Sequence, residues 1–210
     1  MGQARHCGST EIRGKINQSI FLGRYDMIIA MDGPAGTGKS TIASLIAKKL
    51  NITYLNSGSF YRALTMALNE TDIDIADSEK VVEFCKKQSL DYENSHLILN
   101  GVDVESHLHD DAVSAKVAQV SSIVEVRHLV NDRMREITNH LDIICEGRDM
   151  TTVVFPNADY KFYLDASIDV QAQRRFNQGV SNMTLEEVKA AIIKRDEIDK
   201  NKKECRRKGI

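Results

Sequence analysis

Lys39 and Ser40 close a run, Gly33-Pro34-Ala35-Gly36-Thr37-Gly38-Lys39-Ser40-Thr41, made of the residue types that hold a polyphosphate. Gly33, Gly38, Lys39 and Ser40 fit the pattern glycine, four residues, glycine, lysine, serine or threonine. Glycines let the backbone turn its N–H groups toward phosphate oxygens. Lys39 supplies a long cation for the β- and γ-phosphates of a nucleoside triphosphate, and the Ser40 hydroxyl is a ligand for Mg²⁺. Average residue usage gives such a match in about one chain in a hundred of this length, so the surroundings decide. Here they agree. Residues 27–31 are an apolar run ending at Asp32, the signature of a buried strand. Ile42, Leu45, Ile46 and Leu50, with Ala43 and Ala47, then recur at the spacing of one helical face. That helix directs its positive end at the same anion.

Two further stretches carry chemistry. Residues 52–55 form a short strand, followed by Asn56-Ser57-Gly58-Ser59-Phe60-Tyr61-Arg62 and a helix through Ala63, Leu64, Met66, Ala67 and Leu68. Small polar residues and an arginine at a helix start make an anion site. The same residues also read as a helix cap at Ser57 with Arg62 on a solvated face. The second stretch is Glu146-Gly147-Arg148-Asp149, which follows the apolar run 141–145 and leads to Val153-Val154-Phe155-Pro156.

The intervening elements must position these residues. Between Asp72 and Asp111 a helix over 78–88 precedes three short apolar runs, 90–92, 96–99 and 102–104. Asn94-Ser95 and Asn100-Gly101 separate them, and Asn-Gly is a strong hairpin signal. The pattern predicts a small antiparallel meander set into a chain that otherwise alternates strand and helix. His96, His107 and His109 lie in or beside it, and without further ligands nearby they read as solvated loop histidines. A long helix over 112–140 carries Arg127, Arg133 and Arg135. After the strand 161–164 comes a helix with Arg174 and Arg175, and Thr184 caps a last helix carrying Arg195 and Asp199, with Lys202 on the same face. Alternation of this kind indicates an α/β fold with a mainly parallel sheet, whose ligands bind outside the carboxyl ends of the strands. The phosphate loop, Ser57, Arg148 and Asp149 all follow strands at that edge.

Composition sets the outer limits. The 210 residues are 42% hydrophobic and 28% charged, enough for one domain with a sizeable core. A net charge of −2 gives no overall pull toward nucleic acid or membrane surfaces, and no apolar run reaches the ~20 residues of a membrane span. Cys7, Cys85, Cys145 and Cys205 share no metal-ligand spacing, which favours a reduced, cytoplasmic setting. Residues 1–26 have weak periodicity and are expected to be a largely disordered extension of a domain spanning 27–210.

From about Met27 to Lys202 the chain resembles the bacterial-type cytidylate (CMP/dCMP) kinases, a branch of the P-loop nucleoside monophosphate kinases. Asp32–Thr41, Asn56–Arg62 and Glu146–Pro156 with Phe162-Tyr163-Leu164-Asp165-Ala166-Ser167 carry the resemblance, and Gly-Arg-Asp followed by Val-Val-Phe-Pro is its specific part. It implies a P-loop NTPase-type parallel sheet flanked by helices, a nucleoside-monophosphate-binding insert over about 72–111 and a mobile lid over about 170–202. It also implies transfer of the ATP γ-phosphoryl to CMP or dCMP within pyrimidine metabolism, by a monomer needing Mg²⁺. ATP would lie on Gly33, Pro34, Ala35, Gly36, Thr37, Gly38, Lys39, Ser40 and Thr41, with Mg²⁺ on Ser40. The acceptor phosphate would fall to Ser57, Arg62 and Arg148, cytosine to Arg127 and Asp149, and the ribose to Arg195 and Asp199. Lys39, Arg148, Arg174 and Arg175 would stabilise the transferring group. The residue types suit those roles, since a carboxylate accepts from cytosine's amino group and repels the carbonyl that uracil presents there.

The chain departs from the family pattern at several positions. Ala118 stands where a pocket serine is expected, Lys202 where an arginine is, Ala35 where serine is frequent, and Thr151 where glycine is usual. The family continues past Asn201 with a further strand and helix, which residues 202–210 do not supply, so apolar sheet surface is expected to be uncovered. Two readings compete with CMP phosphorylation. One is another small-molecule P-loop kinase acting on UMP, AMP or shikimate, against which Asp149 with Arg127 argues. The other is a nucleotide-binding remnant without turnover.

Overall fold

The computed structural model describes residues 26–93, 95–177 and 183–201, the side chains of 195–201 excepted. In chain order, β1 (Ile28–Asp32) leads through the phosphate loop into α1 (Lys39–Leu50), and β2 (Thr53–Asn56) into α2 (Ser57–Asn69). Then come α3 (Ser78–Cys85), β3 (Leu90–Glu93), β4 (His96–Leu99) and β5 (Val102–Asp103). A 3-10 turn at Glu105–His107 precedes α4 (Asp111–Val120), α5 (Val124–Thr138) and β6 (Ile143–Gly147). A π-helical turn at Met150–Val154 follows, then β7 (Tyr160–Tyr163), α6 (Ile168–Asn177) and α7 (Leu185–Asn201). Among the described residues no helix is long and apolar enough to cross a membrane.

Four strands form a parallel sheet in the order β2-β6-β1-β7. Strands β1 and β6 are central, covered on both faces, and for that reason read as unbroken apolar runs. The register aligns their carboxyl ends: Asp32 stands beside Gly147, and Asn56 beside Glu146. One face of the sheet, through Ala30, Leu55 and Cys145, packs on Phe60, Leu64, Val126 and Val130 of α2 and α5. The same core runs on through Leu90, Leu97 and Leu99 of the meander, whose Tyr92 ring stacks on Phe60 at 6.2 Å. The meander is therefore an insert built onto the main core. Its strands β3-β4-β5 are antiparallel, and Asn100 and Gly101, both at positive φ, make the predicted tight turn.

Two expectations need correction. The buried row of α1 is Lys39, Ala43 and Ala47, against Ile29, Met31 and Ile144, while Leu45 and Leu50 are 62% and 50% exposed. Small side chains let the helix lie close to the sheet, so the alanines take the inner positions, Ile46 packs partly buried beside them, and Ile42, Leu45 and Leu50 are turned outward. The helix expected over 112–140 is two helices. Ser121 and Ser122 donate their hydroxyls back to the carbonyls of Ala118 and Gln119, competing with helix continuation, and Ile123 restarts the chain as the residue before α5. Strand β7 lies at the sheet edge among the described residues, and its Tyr160 and Phe162 are exposed. Paired with Ile29 and Met31, those two side chains share the α1 face of the sheet.

Asp32 ends β1 and is 3% exposed. Its carboxylate accepts from the Met150 N–H at 2.7 Å, the Thr151 N–H at 2.9 Å and the Thr151 hydroxyl. This ties the strand that opens the phosphate loop to the segment after β6, and it gives Thr151, at the position where glycine is usual, a definite partner. Replacing Asp32 by asparagine keeps the volume and removes the charge that three donors face. The expected loss is about 2–3 kcal/mol of unfolding free energy, read as a lower urea midpoint at unchanged slope. An unchanged midpoint would show that the carboxylate does not hold these elements together.

Candidate active site

The phosphate loop starts from the buried end of β1 and curls into the N-terminus of α1. Gly38 occupies the N-cap position at φ 94°, a conformation that glycine adopts without the steric cost a side chain brings. Lys39 is 8% exposed, and its Nζ donates to the Pro34 carbonyl at 2.7 Å, so the side chain lies folded across the loop. The Thr37 hydroxyl also donates to Pro34 O, at 3.0 Å. Gly33, Pro34, Ala35, Gly36, Thr37, Gly38, Lys39, Ser40 and Thr41 thus form one continuous strand–loop–helix unit.

Ser40 and Thr41 are exposed at the start of α1. The Ser40 side chain hydrogen-bonds the phenol of Tyr54, which donates in turn to Glu146 Oε1 at 2.7 Å. Burial, then the Glu146 charge, push the Tyr54 phenol well above its ordinary pKa, so it remains a donor. Glu146 is 4% exposed at the end of β6, beside the strand that leads into the loop. A hydroxyl and a nearby carboxylate are hard oxygen donors, a set that suits Mg²⁺ completed by phosphate oxygens and water. Among the described residues no group of three His, Cys, Asp or Glu stands together to hold a metal, His107 and His109 included.

The second set of residues assembles across β6. Asn56, and not Ser57, caps α2, its side chain accepting from the Gly58 N–H at 2.9 Å. Ser57 is instead buried against the turn after β6. A Cβ on Gly147 would lie 2.5 Å from Ser57 Oγ and 2.8 Å from Met150 Cε, so glycine is what lets the two elements meet. Arg62, one turn further along α2, donates from Nη1 to the Leu108 carbonyl at 2.9 Å and to Ser114 Oγ at 3.0 Å. Arg148 directly follows β6 and is half-buried. Next to it, the Asp149 carboxylate is ion-paired with Arg127 of α5, both residues 5% exposed. The two side chains matched separately to a cytosine pocket are therefore partners of one another.

Helices α6 and α7 meet in an apolar cluster of their own, Ala172, Leu185, Val188 and Ile192. Thr184 caps α7 as expected, and Glu187 reaches back to the Thr184 N–H at 2.8 Å, a capping box. Arg174 donates to the Thr37 carbonyl of the phosphate loop at 2.9 Å. Arg175 is exposed on the same helix. Arg195 and Asp199 lie on α7, but their side chains and Lys202 fall outside the described residues. Asp32, Tyr54, Glu146 and Thr151 are the site's residues that sequence reading misses. Glu146 had a signal, a carboxylate closing an apolar strand, but its value depends on β6 lying beside β1.

The sequence model of the cytidylate kinase family matches residues 29–207. A cytidylate kinase from Borrelia turicatae (strain 91E135) is 42% identical over 183 residues, covering 84% of this chain and 82% of that protein. One from Clostridioides difficile (strain 630) is 40% identical over 181 residues, covering 84% and 83%. Among solved structures, a shikimate kinase from Bacteroides thetaiotaomicron superposes with a TM-score of 0.43 at 14% identity, over 81% of this chain and 78% of that one. The sequence relatives decide the matter: a family match that starts within β1 and takes in the phosphate loop, the Gly-Arg-Asp turn and both C-terminal helices shows that the chain belongs to the cytidylate kinase family.

Proposed function

We propose that this chain transfers the γ-phosphoryl group of ATP to the phosphate of CMP or dCMP, with the residues assembled at the carboxyl edge of the sheet as its site. The observation that carries this reading is the buried Arg127–Asp149 pair beside Arg148 and Ser57, one strand from the phosphate loop. A buried carboxylate held by a guanidinium is directional, which suits it to accept from an exocyclic amino group and to repel a carbonyl. Arg127 remains able to donate to the ring's acceptor atoms from the rest of its guanidinium. Ser57, Arg62 and Arg148 serve the acceptor phosphate, and Arg195, Asp199 and Lys202 the ribose and outer pocket.

Transfer is in line, from γ-phosphorus to an acceptor phosphate oxygen, and an ionised phosphate needs no base to become a nucleophile. The chain's work is positioning and charge. Lys39 leaves the Pro34 carbonyl for the β- and γ-phosphate oxygens, and the α1 N-terminus holds the same anion. Ser40, with Glu146 behind Tyr54, would hold Mg²⁺, which when bound supplies neutralisation of the phosphate charge. Arg174, already on the loop carbonyl of Thr37, and Arg175 beside it cover the transferring group when the α6–α7 unit closes as a lid and excludes water. The chain acts as a cytoplasmic monomer.

A coupled assay with ATP and a panel of CMP, dCMP, UMP, AMP and shikimate tests the reading. CMP or dCMP is expected to be the best acceptor; preference for any other, or ATP binding without turnover at saturating CMP, would overturn it. Asp149→Asn is expected to lower kcat/KM for CMP about 10- to 100-fold, the worth of one well-placed polar contact to a base, and to narrow the CMP-to-UMP ratio. The ATP KM should change less than about twofold, because Asp149 lies across the crevice from the loop that holds ATP. Asparagine is chosen over alanine because it keeps the volume and an acceptor oxygen for Arg127; breaking the buried ion pair still costs about 3–5 kcal/mol, so a melting curve verifies that the variant is folded. Equal losses for CMP and UMP would remove Asp149 from base selection.

A further inference from the structure

Tyr54 brings an apolar ring and a polar tip to the edge of the site, and the strand register explains how. In the parallel pairing of β2 with β6, Tyr54 stands opposite Ile144, and Glu146 is two residues further along β6. Residues two apart share a face of a strand, so the side chains of Ile144 and Glu146 lie on one face of the sheet. That is the face α1 covers. Ile144 packs there with Ile29, Met31, Ala43 and Ala47, and the Tyr54 ring joins the same cluster. The side chain is long enough to lean along the sheet, and its hydroxyl donates to Glu146 Oε1 at 2.7 Å. The ring is thus anchored among apolar neighbours while its tip stands at the strand end from which the site is built.

Glu146 is 4% exposed, so its carboxylate has lost most of its water and needs partners inside the protein. A lysine or arginine would hold it but would also cancel the charge that a divalent cation needs. A phenol is a neutral donor: it fixes the orientation of the carboxylate and leaves the charge in place. The contact occupies Oε1 and leaves Oε2 as the group's second acceptor. A glutamate side chain turns about three bonds, and a carboxylate that must be ordered only when a metal arrives binds it more weakly. Donors that orient metal-ligating groups typically account for about 10- to 100-fold of metal affinity. We propose that Tyr54 is a positioning residue for the metal, its phenol holding the Glu146 carboxylate ready for the Mg²⁺ that accompanies ATP. The proposal rests on the reading in which Ser40 and Glu146 hold that metal. Tyr54 acts through Glu146 and not by a contact of its own with the nucleotide.

The test is ATP affinity, measured by calorimetry without acceptor, in excess Mg²⁺ and again in EDTA, for the wild type, Tyr54→Phe, Glu146→Gln and the double variant. The ratio of the two affinities separates the metal's contribution from that of the phosphate loop. Tyr54→Phe is expected to lower the ratio about tenfold, while its affinity in EDTA stays within about twofold of the wild type. Glu146→Gln should lower the ratio at least as much. Adding Tyr54→Phe to Glu146→Gln should then change it by less than about twofold, because the two residues act as one unit. Tyr54→Leu, which removes the same hydroxyl, should reproduce the loss, and a melting curve for each variant sets a temperature at which it is folded. An unchanged ratio in Tyr54→Phe would overturn the proposal. So would an equal loss of affinity in Mg²⁺ and EDTA, or the same loss of ratio in the Glu146→Gln background as in the wild type. A Glu146→Gln protein with the wild-type ratio would sink the metal reading along with this one; a lowered ratio there beside an unchanged Tyr54→Phe would sink this one alone.

Discussion

The carboxylate of Asp32 is the contact on which the site's two halves depend. It is the last residue of β1 and stands directly before the phosphate loop, while its acceptors are filled by the segment directly after Asp149. A buried carboxylate without donors would cost several kcal/mol, so the backbone at Met150 and Thr151 must come to it or the strand end must unwind. That requirement fixes the spacing between the loop and the Gly-Arg-Asp turn. The parallel pairing of β1 with β6, in the register that sets Asp32 beside Gly147, is what makes the reach short enough. Leu164 adds to the same corner from the other side, its N–H donating to the Asp32 carbonyl at 2.8 Å.

A buried charge pair works on the opposite border. Arg127 comes from α5, a helix packed in the core that also carries the insert, while Asp149 belongs to the sheet edge. Joining them commits α5 to one position relative to the strand ends. Further along α5, Arg135 donates from Nε to the Val154 carbonyl at 3.0 Å and from Nη2 to Val153 at 2.8 Å, clamping the π-helical turn that Asp149 opens. Ion pairs of this kind add little net stability against an apolar replacement. Their value is directional: the groups are held oriented before any ligand arrives, so little reorganisation is left for the moment of binding.

Much of this was legible in the sequence, for reasons that separate local from distant causes. Apolar runs at 27–31 and 141–145, the Asn100-Gly101 turn and the Thr184 cap act within a few residues, and each appears where the pattern places it. The face of α1 did not, because burial there depends on how near the sheet lies, and Ala43 and Ala47 permit an approach that Ile42 and Leu45 would block. The break at Ser121 and Ser122 turns on side-chain hydroxyls winning over helix hydrogen bonds, a near balance that periodicity does not weigh. Asp32, Glu146 and Thr151 act across about a hundred residues of chain and acquire meaning only once the strand order is known.

The electrostatics of the crevice follow from the same strand order. Two anionic nucleotides must approach within bonding distance, so the protein has to concentrate cations where their phosphates meet without collapsing on itself when they are absent. It does so by giving the cations internal acceptors. Lys39 donates to the Pro34 carbonyl, Arg62 to the Leu108 carbonyl and Ser114 Oγ, and Arg174 to the Thr37 carbonyl, while Arg127 meets the Asp149 carboxylate. A neutral carbonyl satisfies an N–H donor at modest energy, whereas a carboxylate would hold the cation too firmly to release it. Under the proposed function the distinction divides the cations by role: groups parked on carbonyls transfer to phosphate, and the Arg127–Asp149 pair reads a base.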